Sequence, residues 1–396
     1  MNSNKTSRSR LVALTASLGF ACSAQADGGM VEGLTGFNIN NNSTLESLGV
    51  HVDGWVEVGI VGNPRTSTTN EPITFASGAN DVNVNSTYLV IERGVTAGDS
   101  WDFGFRADFL YGTDSAYTTA GDNWDGNFTR DTEDYRMALP QAYGEIYAPI
   151  GNGITLKVGH FYTLIGYEVV TAPDNFFYTH AYTMQYGEPF THSGALLSYD
   201  INDNISFTGG VTTGWDTNFD GAPENFLGAL SYSTDDGKTS LTGSLITGGE
   251  QKTNKENRTM YSIVLTHDIA DNLHYVLQHD QGFTQDGGTQ TANWYGVNQY
   301  LTYDVSDTLG AGMRFEWFRD QDGTRVTTAT GNSSKAHYFA ATAGVNWDPV
   351  SWLRLRPEVR YDFTELPSGA GGPFQDDNGN AQSDQFTIGA SAIIQL

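Results

Sequence analysis

The sequence has a single cysteine in 396 residues, Cys22, and it lies in an N-terminal stretch with the features of an export signal. Three basic residues precede an apolar run over 11–21, and Ala24 and Ala26 supply small residues at the −3 and −1 positions of a cleavage site. This arrangement predicts a secretory signal peptide over 1–26. A lipoprotein signal that uses Cys22 is the alternative. With at most one cysteine, the exported chain contains no disulfide within itself.

Basic residues are scarce as well. The chain has 20 lysines and arginines against 46 aspartates and glutamates, and the signal holds three of the basic residues and no acidic one. Removing the signal leaves 17 basic and 46 acidic residues, a formal charge of −29. Such a chain lacks the positive surface that neutralises phosphates, which excludes nucleic-acid binding. After residue 26 there is also no apolar run of about 20 residues, so no membrane-spanning helix is predicted.

Alternation of apolar and polar residues dominates the rest of the chain. In the segment 100–112, Trp101 and Phe105 occupy one set of alternate positions, and Asp102 and Arg106 occupy the other. A period of two indicates a β-strand with one apolar and one polar face. The chain is also rich in glycine (46) and in aromatic residues (8 tryptophans, 20 tyrosines and 21 phenylalanines). Together these features favour an all-β protein.

Sixteen segments of this kind are predicted over 49–396, and the connections between them alternate in length. Every second connection is a tight turn, and those between are long, among them 62–81, 112–137, 163–190, 319–334 and 363–383. This alternation is typical of an outer-membrane barrel. We therefore predict an all-β transmembrane, antiparallel, up-and-down β-barrel of about 16 strands, with both termini periplasmic. Residues 27–48 lack the alternation, and we expect them to form an N-terminal periplasmic segment or a plug in the lumen.

The alternation also assigns the two faces of the barrel. Apolar side chains would contact lipid, and charged side chains would line a lumen too wide for side chains to fill. An arginine turned toward lipid costs about 2–4 kcal/mol near the membrane midplane, so the register of the arginine-rich segment 350–362 is firmly set. The predicted pore-wall residues are Arg106, Arg314, Arg354, Arg356, Arg360, Asp102, Asp108, Glu316 and Glu358.

The long connection 163–190 breaks the alternation and contains no lysine or arginine. Its seven aromatic residues and two prolines suit a loop that folds inward and packs against the barrel wall. We interpret it as a constriction loop, the role of the third outer loop in sixteen-stranded porins. Its candidate constriction residues are Glu168, Asp174, His180 and Glu188, and its carboxylates are expected to face the water path. Opposite the wall arginines, they would create a transverse field and a mild cation preference.

Three strings of residues carry a resemblance to a known family. They are "WDFGFRADFLYGTD" (101–114), the stretch 140–194, which ends in "NFFYTHAYTMQYGEPFTHSG", and "GGVTTGWD" (209–216). In these strings the chain resembles the OmpL-like putative β-barrel porins of the porin-2 type, a family of Gram-negative outer-membrane proteins. The resemblance runs the length of the chain after the signal. It implies an outer-membrane channel, adds no catalytic residue and defines no solute.

The last predicted strand keeps apolar residues at alternate positions up to Leu396. This ending resembles the assembly signal of outer-membrane proteins, which usually finishes in phenylalanine. We therefore expect the barrel-assembly machinery as a partner, together with outer-membrane lipid, lipopolysaccharide and small hydrophilic solutes. Fold-level analogy with sixteen-stranded porins also allows a homotrimer. Aspartate-rich fragments resemble parts of calcium loops without the full ligand series, so no metal is predicted; they lie at 122–127, 216–221, 320–323 and 376–380.

Two other function classes stay open. A structural or adhesin barrel with a blocked lumen would show the same alternation and the same loop lengths. A barrel lipase would need serine, histidine and an acid or amide aligned on one surface. His160 is the candidate histidine, expected to face outward near the rim, and no motif pairs it with a serine. We predict a non-enzymatic, water-filled channel for passive diffusion, without a cofactor.

Overall fold

The computed structural model describes residues 29–120, 125, 135–219, 224–249, 256–328 and 335–396. Sixteen strands of this part of the chain close into one barrel. They are β1 His51–Gly62, β2 Val82–Arg93, β3 Asp102–Gly112, β4 Arg136–Ala148, β5 Ile154–Tyr162, β6 Thr191–Asp200, β7 Ile205–Thr212, β8 Asn225–Ser233, β9 Thr239–Gly249, β10 Glu256–Ala270, β11 Leu273–Asp286, β12 Thr289–Ser306, β13 Leu309–Asp320, β14 Ala336–Val350, β15 Leu353–Glu365 and β16 Asp384–Gln395.

Each strand pairs antiparallel with its neighbours in sequence, and β1 pairs with β16 to close the cylinder. The predicted fold class is therefore confirmed. None of the helices in the described ranges has the length and apolar character of a membrane span. The short turns lie at one end of the barrel, called the turn end below, together with the start of β1 and the end of β16. The longer connections lie at the opposite end, called the loop end.

One connection at the loop end departs from the predicted pattern. Strands β11 and β12 are longer than the alternation indicated, and only Gly287 and Gly288 join them. Both glycines have positive φ values, 56° and 87°. A two-residue hairpin turn favours glycine at such positions, because a side chain there would be strained. The two long strands therefore form a hairpin that continues to its tip without a loop.

Side-chain exposure follows the predicted faces. On β13, Met313 and Phe315 are exposed, whereas Arg314 and Glu316 between and beside them are buried. The buried positions point into the barrel, so the exposed apolar side chains belong to the face that meets lipid. On β2 the three apolar residues Leu89–Val90–Ile91 leave the assignment of faces open in the sequence, and the structure buries Val90 inside and exposes Leu89.

Residues 29–48, called the N-terminal segment below, contain helix α1 Met30–Thr35, a 3-10 turn Ile39–Asn41 and helix α2 Ser43–Leu48. The side chain of Asn40 donates to the carbonyl of Val52 at 2.9 Å and accepts from its N–H at 2.8 Å. The ladder between β1 and β16 begins only at Trp55. Asn40 therefore provides hydrogen-bond partners for the N–H and carbonyl of Val52, which lie beyond the end of β16.

Candidate pore constriction

Loop 163–190, called the inner loop below, folds into the barrel as predicted. It leaves β5, forms a 3-10 turn over Ala172–Asp174 and a π-helical turn over Thr183–Gly187, and then joins β6. Most of its residues are buried. Its polar groups bond mainly to side chains on the inward faces of β11–β15, as the following contacts describe.

Arg356 of β15 holds the first half of the inner loop. Its guanidinium donates to the carbonyl oxygens of Ala172 and Asn175 at 2.9 Å and of Phe177 at 3.2 Å. The same guanidinium pairs with Glu57 of β1. A buried carbonyl without a donor costs about 1–3 kcal/mol, so three such bonds from one side chain fix the path of the loop.

Two wall carboxylates hold the N–H groups that follow. Glu358 of β15 accepts the N–H groups of Tyr178 at 2.8 Å and of Thr179 at 3.2 Å. Glu316 of β13 accepts the N–H of Tyr182 at 2.8 Å. Both carboxylates are buried. Charged wall residues thus replace the backbone partners that a regular strand would have given this segment.

Arg360 of β15 completes the anchor. It donates to the carbonyl of His180 at 2.7 Å and pairs with Asp362 at 2.8 Å, which in turn accepts from the hydroxyl of Tyr182 at 2.9 Å. Like Arg356, this arginine faces the lumen, as the alternation predicts. Both lie beneath the inner loop, in contact with it, and not across open water from it.

Glu168 is the ionic anchor of the inner loop. Its carboxylate accepts from Arg314 of β13 at 2.7 Å and from the N–H of Ala181 at 2.8 Å, and Nδ1 of His180 lies 3.2 Å away. Burial by itself would raise the pKa of Glu168. The Arg314 guanidinium and the bond to His180 outweigh burial and lower this pKa to about 2. Glu168 is therefore ionised and held against the wall.

Glu188, at the other end of the inner loop, has an acidic neighbour. Its carboxyl accepts from Nε2 of Gln278 at 2.6 Å, and the same nitrogen donates to Asp280 at 2.8 Å. Burial, followed by repulsion from Asp280, raises the pKa of Glu188 well above its ordinary value. Glu188 therefore takes up a proton far more readily than Glu168, although both belong to one loop and both are buried.

Asp174 is the one carboxylate of the inner loop whose side chain is exposed. The lumen walls around it still displace part of the bulk water, and this raises the pKa of Asp174 above its ordinary value. Arg106 and Arg354 act on it in the opposite direction. His180, the remaining candidate of this loop, is buried with its ring centroid 4.5 Å from that of Phe75.

The partly exposed charged wall lies on β2–β5. Arg106 pairs with Asp108 at 2.8 Å and with Glu92 at 3.0 Å, and Lys157 pairs with Glu145 at 3.4 Å. About a fifth of each basic side chain is exposed, 19% for Arg106 and 22% for Lys157. Lys157 and Glu145 are not among the wall residues predicted above. The signal was present, since the alternation along β4 and β5 places both toward the lumen.

Two other predicted wall residues lie near the turn end. Asp102, the first residue of β3, pairs with Arg93 at 2.8 Å, and Arg354 pairs with Asp348 at 2.9 Å. Both pairs lie toward that end of the barrel, and Arg354 is still close enough to Asp174 of the inner loop to act on its pKa.

Two further connections fold inward and pack on the inner loop. The N–H and hydroxyl of Thr74 donate to the side-chain oxygen of Gln185 at 2.6 and 2.8 Å. The ring of Phe75 stacks on Tyr117 of helix α3 (Ser115–Thr118), with ring centroids 4.5 Å apart. The sequence pattern predicts an inward fold for the inner loop alone. Apolar residues within the polar loop after β1 were the available signal.

An apolar layer lies between the inner loop and β8–β10 near the loop end. Leu227, Ile246 and Met260 point inward from these three strands and are fully buried. They form one cluster with Tyr186 of the inner loop and with Trp215 of the connection after β7. This part of the lumen is therefore filled by side chains from the wall and from two loops.

His160 is not at an exposed rim. Its side chain is fully buried, and its Nδ1 lies 2.8 Å from Oγ of Ser193, which is also buried. Ser193 donates to the carbonyl of Thr217 at 3.0 Å. The connection after β7 thus covers His160, which shares the outward parity of Leu156 and Val158 but is buried and not exposed at the rim.

The acidic fragments that resemble calcium loops use aspartates as backbone acceptors. Asp216 accepts the N–H of Phe190 at 2.8 Å, and Asp376 accepts the N–H of Asn380 at 2.9 Å. Asp320 accepts the four consecutive N–H groups of residues 323–326. Fragment 122–127 lies outside the described residues except for position 125. In the part of the chain that the structure describes, no group of three or more His, Cys, Asp or Glu could hold a metal ion.

A family model described as "Putative beta-barrel porin-2, OmpL-like" matches residues 49–396. The match begins just before β1 and ends at the last residue, so it spans all sixteen strands. Among curated proteins, none matches the sequence.

Several solved structures have a similar fold. The anion-selective porin from Comamonas acidovorans has a TM-score of 0.61 at 10% identity, with 88% of this chain and 99% of that chain covered. The outer membrane channel DcaP of Acinetobacter baumannii has a TM-score of 0.57 at 11% identity, with 88% and 97% covered. OmpT of Vibrio cholerae in its trimer form has a TM-score of 0.54 at 12% identity, with 88% and 99% covered. At such identities the likeness concerns the fold alone.

Proposed function

The chain belongs to the OmpL-like, porin-2 family of outer-membrane β-barrels, and on that premise we propose that it is a diffusion channel. It lets small hydrophilic solutes and ions cross the outer membrane passively, without catalysis. The observation that carries the proposal is a closed sixteen-stranded barrel with charged side chains inside and apolar side chains outside. A barrel of this size encloses more space than its wall side chains fill.

The inner loop divides the lumen unequally. Most of its hydrogen bonds and ion pairs to the wall go to β11–β15, with one from Tyr178 to Asn85 of β2. Arg106, Tyr143 and Lys157 on β3–β5 stay partly exposed. We place the path of solutes between the inner loop and this partly exposed wall. Asp174 then borders the path on the loop side, and Arg106 and Lys157 border it on the wall side.

A mild cation preference follows from the charges along this path. The wall bases Arg106 and Lys157 are paired with carboxylates, and Asp174 adds a negative charge on the loop side. The chain as a whole is strongly acidic, which concentrates cations at both mouths. The fold does not decide this sign, since one structure of similar fold is that of an anion-selective porin.

The test is the reversal potential of the purified, refolded protein in a planar bilayer under a potassium chloride gradient. We expect a potential of the sign that cation permeation gives, reduced at high salt because screening weakens the field of exposed charges. A clear anion preference would contradict the proposed selectivity while leaving the channel intact.

A structural or adhesin barrel with a blocked lumen is the second candidate. The apolar layer of Leu227, Ile246, Met260 and Trp215 favours it, because apolar side chains packed against each other leave no room for a hydrated solute. Conductance separates the two candidates. Protein that shows heat-modifiable mobility, and so has folded, yet passes no current in repeated insertions would support the structural role and overturn the channel.

The oligomeric state and the partners of the barrel are also proposals. A homotrimer is supported by the fold shared with OmpT, which has been solved in a trimer form. The mass of the detergent-purified protein, measured by light scattering, tests it. Contact of the loop end with lipopolysaccharide, and recognition of the last strand by the barrel-assembly machinery, stay predictions from the sequence.

A further inference from the structure

The N-terminal segment is a folded element with fixed contacts at the turn end. Asn40 bonds to the backbone of Val52 on β1. Arg93 at the end of β2 donates to the carbonyl of Leu48, the last residue of α2, at 3.1 Å. A Cβ added at Gly33 of α1 would lie 3.0 Å from the ring of Trp352, so α1 packs closely on the turn between β14 and β15. The segment therefore follows the rim of the barrel from β15 to β2.

This fixed segment leaves its large apolar side chains uncovered. Neither helix contains a buried residue. The segment has no lysine or arginine, and Glu32 and Glu46 are its only charged residues. Apolar area in contact with water costs about 25 cal/mol per Å². The exposed side chains, with their exposed fractions, are Leu34 (68%), Phe37 (62%), Leu48 (57%), Ile39 (46%) and Val31 (40%).

The lipid-facing belt of the barrel reaches the same rim. Trp347 and Leu396 are exposed near the turn end, at 47% and 43%. The backbone of Gly29 lies directly against Leu396, so the start of the segment adjoins the end of the belt. The segment that carries the uncovered apolar side chains thus begins at a surface that already meets lipid.

We propose that the N-terminal segment is an interfacial anchor, with its apolar side chains in the headgroup–acyl boundary of the leaflet at the turn end. Short amphipathic segments bind membranes in this way through buried apolar area. A plug in the lumen would instead place these side chains among the charged groups of the mouth. A tail in the periplasm would leave them in water. This inference does not depend on whether the barrel conducts.

Spin labels on single cysteines test the anchor, because Cys22 is the only native cysteine. In a Cys22→Ser background, Leu34→Cys and Phe37→Cys are labelled in the full protein reconstituted into phospholipid vesicles. Thr44→Cys, an exposed polar position on α2, is the matched control. Collision rates with oxygen, which concentrates in lipid, and with a water-soluble nickel chelate are measured by power saturation.

We expect a several-fold lower nickel collision rate and a higher oxygen collision rate at positions 34 and 37 than at position 44. Equal access of the nickel chelate to all three positions would place the segment in water and overturn the anchor. Low access of both reagents with dipolar broadening between labels would place it between protomers, which also overturns the anchor. Heat-modifiable mobility of each variant verifies that the barrel has folded.

Discussion

The three carboxylates of the inner loop show how strongly the surroundings decide what an acidic residue does. Glu168 is ionised because Arg314 lies 2.7 Å away. Glu188 meets Asp280 through a shared glutamine and has a raised pKa. Asp174 alone is exposed to the lumen. The expectation that these acids face the water path therefore applies to one of them.

At this scale we predict that Asp174→Asn weakens the cation preference, measured as a smaller reversal potential under a salt gradient. Because enclosure raises the pKa of Asp174, the cation preference of the native channel should begin to fall with acidification at a higher pH than an ordinary aspartate would give. Asp174→Asn should remove that part of the pH dependence. Asp203→Asn, which removes an equal charge from an exposed turn, serves as the control. Equal effects of the two substitutions would remove Asp174 from the constriction.

The sequence predicts which wall residues face inward. Alternate residues of a strand point to opposite faces, so once one face is assigned to lipid the other must face the lumen. It could have predicted Lys157 by the same rule. It could not distinguish Glu168 from Asp174, since the partner of Glu168 is 146 residues away and only the closed barrel brings it near. The same limit explains why Arg356 and Arg360, correctly placed on the wall, were expected to border water and instead hold the inner loop.

At the scale of elements, β15 and the inner loop behave as one unit. Arg356, Glu358 and Arg360, at alternate positions on one strand, bond to backbone groups of the loop between residues 172 and 180. The spacing of two along the strand sets the spacing of these anchors along the loop. The inner loop therefore needs little regular structure of its own to keep its shape.

We predict that Arg356→Met loosens the inner loop while the barrel stays folded. It frees three loop carbonyls and leaves Glu57 as a buried charge, and breaking such a buried pair costs about 3–5 kcal/mol. Single-channel recordings should show larger current fluctuations, and limited proteolysis should cut the loop faster. Arg354→Met, two residues away on the same strand and paired with Asp348, is the control. Current fluctuations no larger than those of the native channel would show that Arg356 does not hold the loop.

At the scale of the whole molecule, the two faces of the cylinder are the property that the sequence predicts best. Alternate exposure recurs from strand to strand, interrupted by runs of buried residues such as 159–161 on β5 and 191–193 on β6, and the family match spans the same strands. The packing of the loops inside was less predictable. Only the inner loop was expected there, yet the connections after β1, β3 and β7 also place Phe75, Tyr117 and Trp215 against buried residues. Contacts between loops depend on the closed barrel and leave no period in the sequence.

Adjacent residues of β8 test the assignment of the faces. Leu230 is 52% exposed on the outer face, and Ser231 faces the lumen with its hydroxyl 2.9 Å from that of Thr242. We predict that Leu230→Arg lowers the free energy of unfolding by up to about 2–4 kcal/mol, depending on its depth in the membrane. Ser231→Arg should cost much less. Urea titrations in vesicles, read by heat-modifiable mobility, measure both. A larger loss of unfolding free energy from Ser231→Arg than from Leu230→Arg would contradict the assignment of the faces.

The hold of β13 and β15 on the inner loop has a consequence for the order of folding. The loop is made soon after β5, but the side chains that grip it come about 180 residues later, as between Tyr178 and Glu358. Until those last strands have paired, the backbone groups of the inner loop lack the side chains that bind them. The inner loop therefore takes its final shape only after β13 and β15 have paired, and a barrel that still lacks these strands would hold the loop less firmly than the finished one.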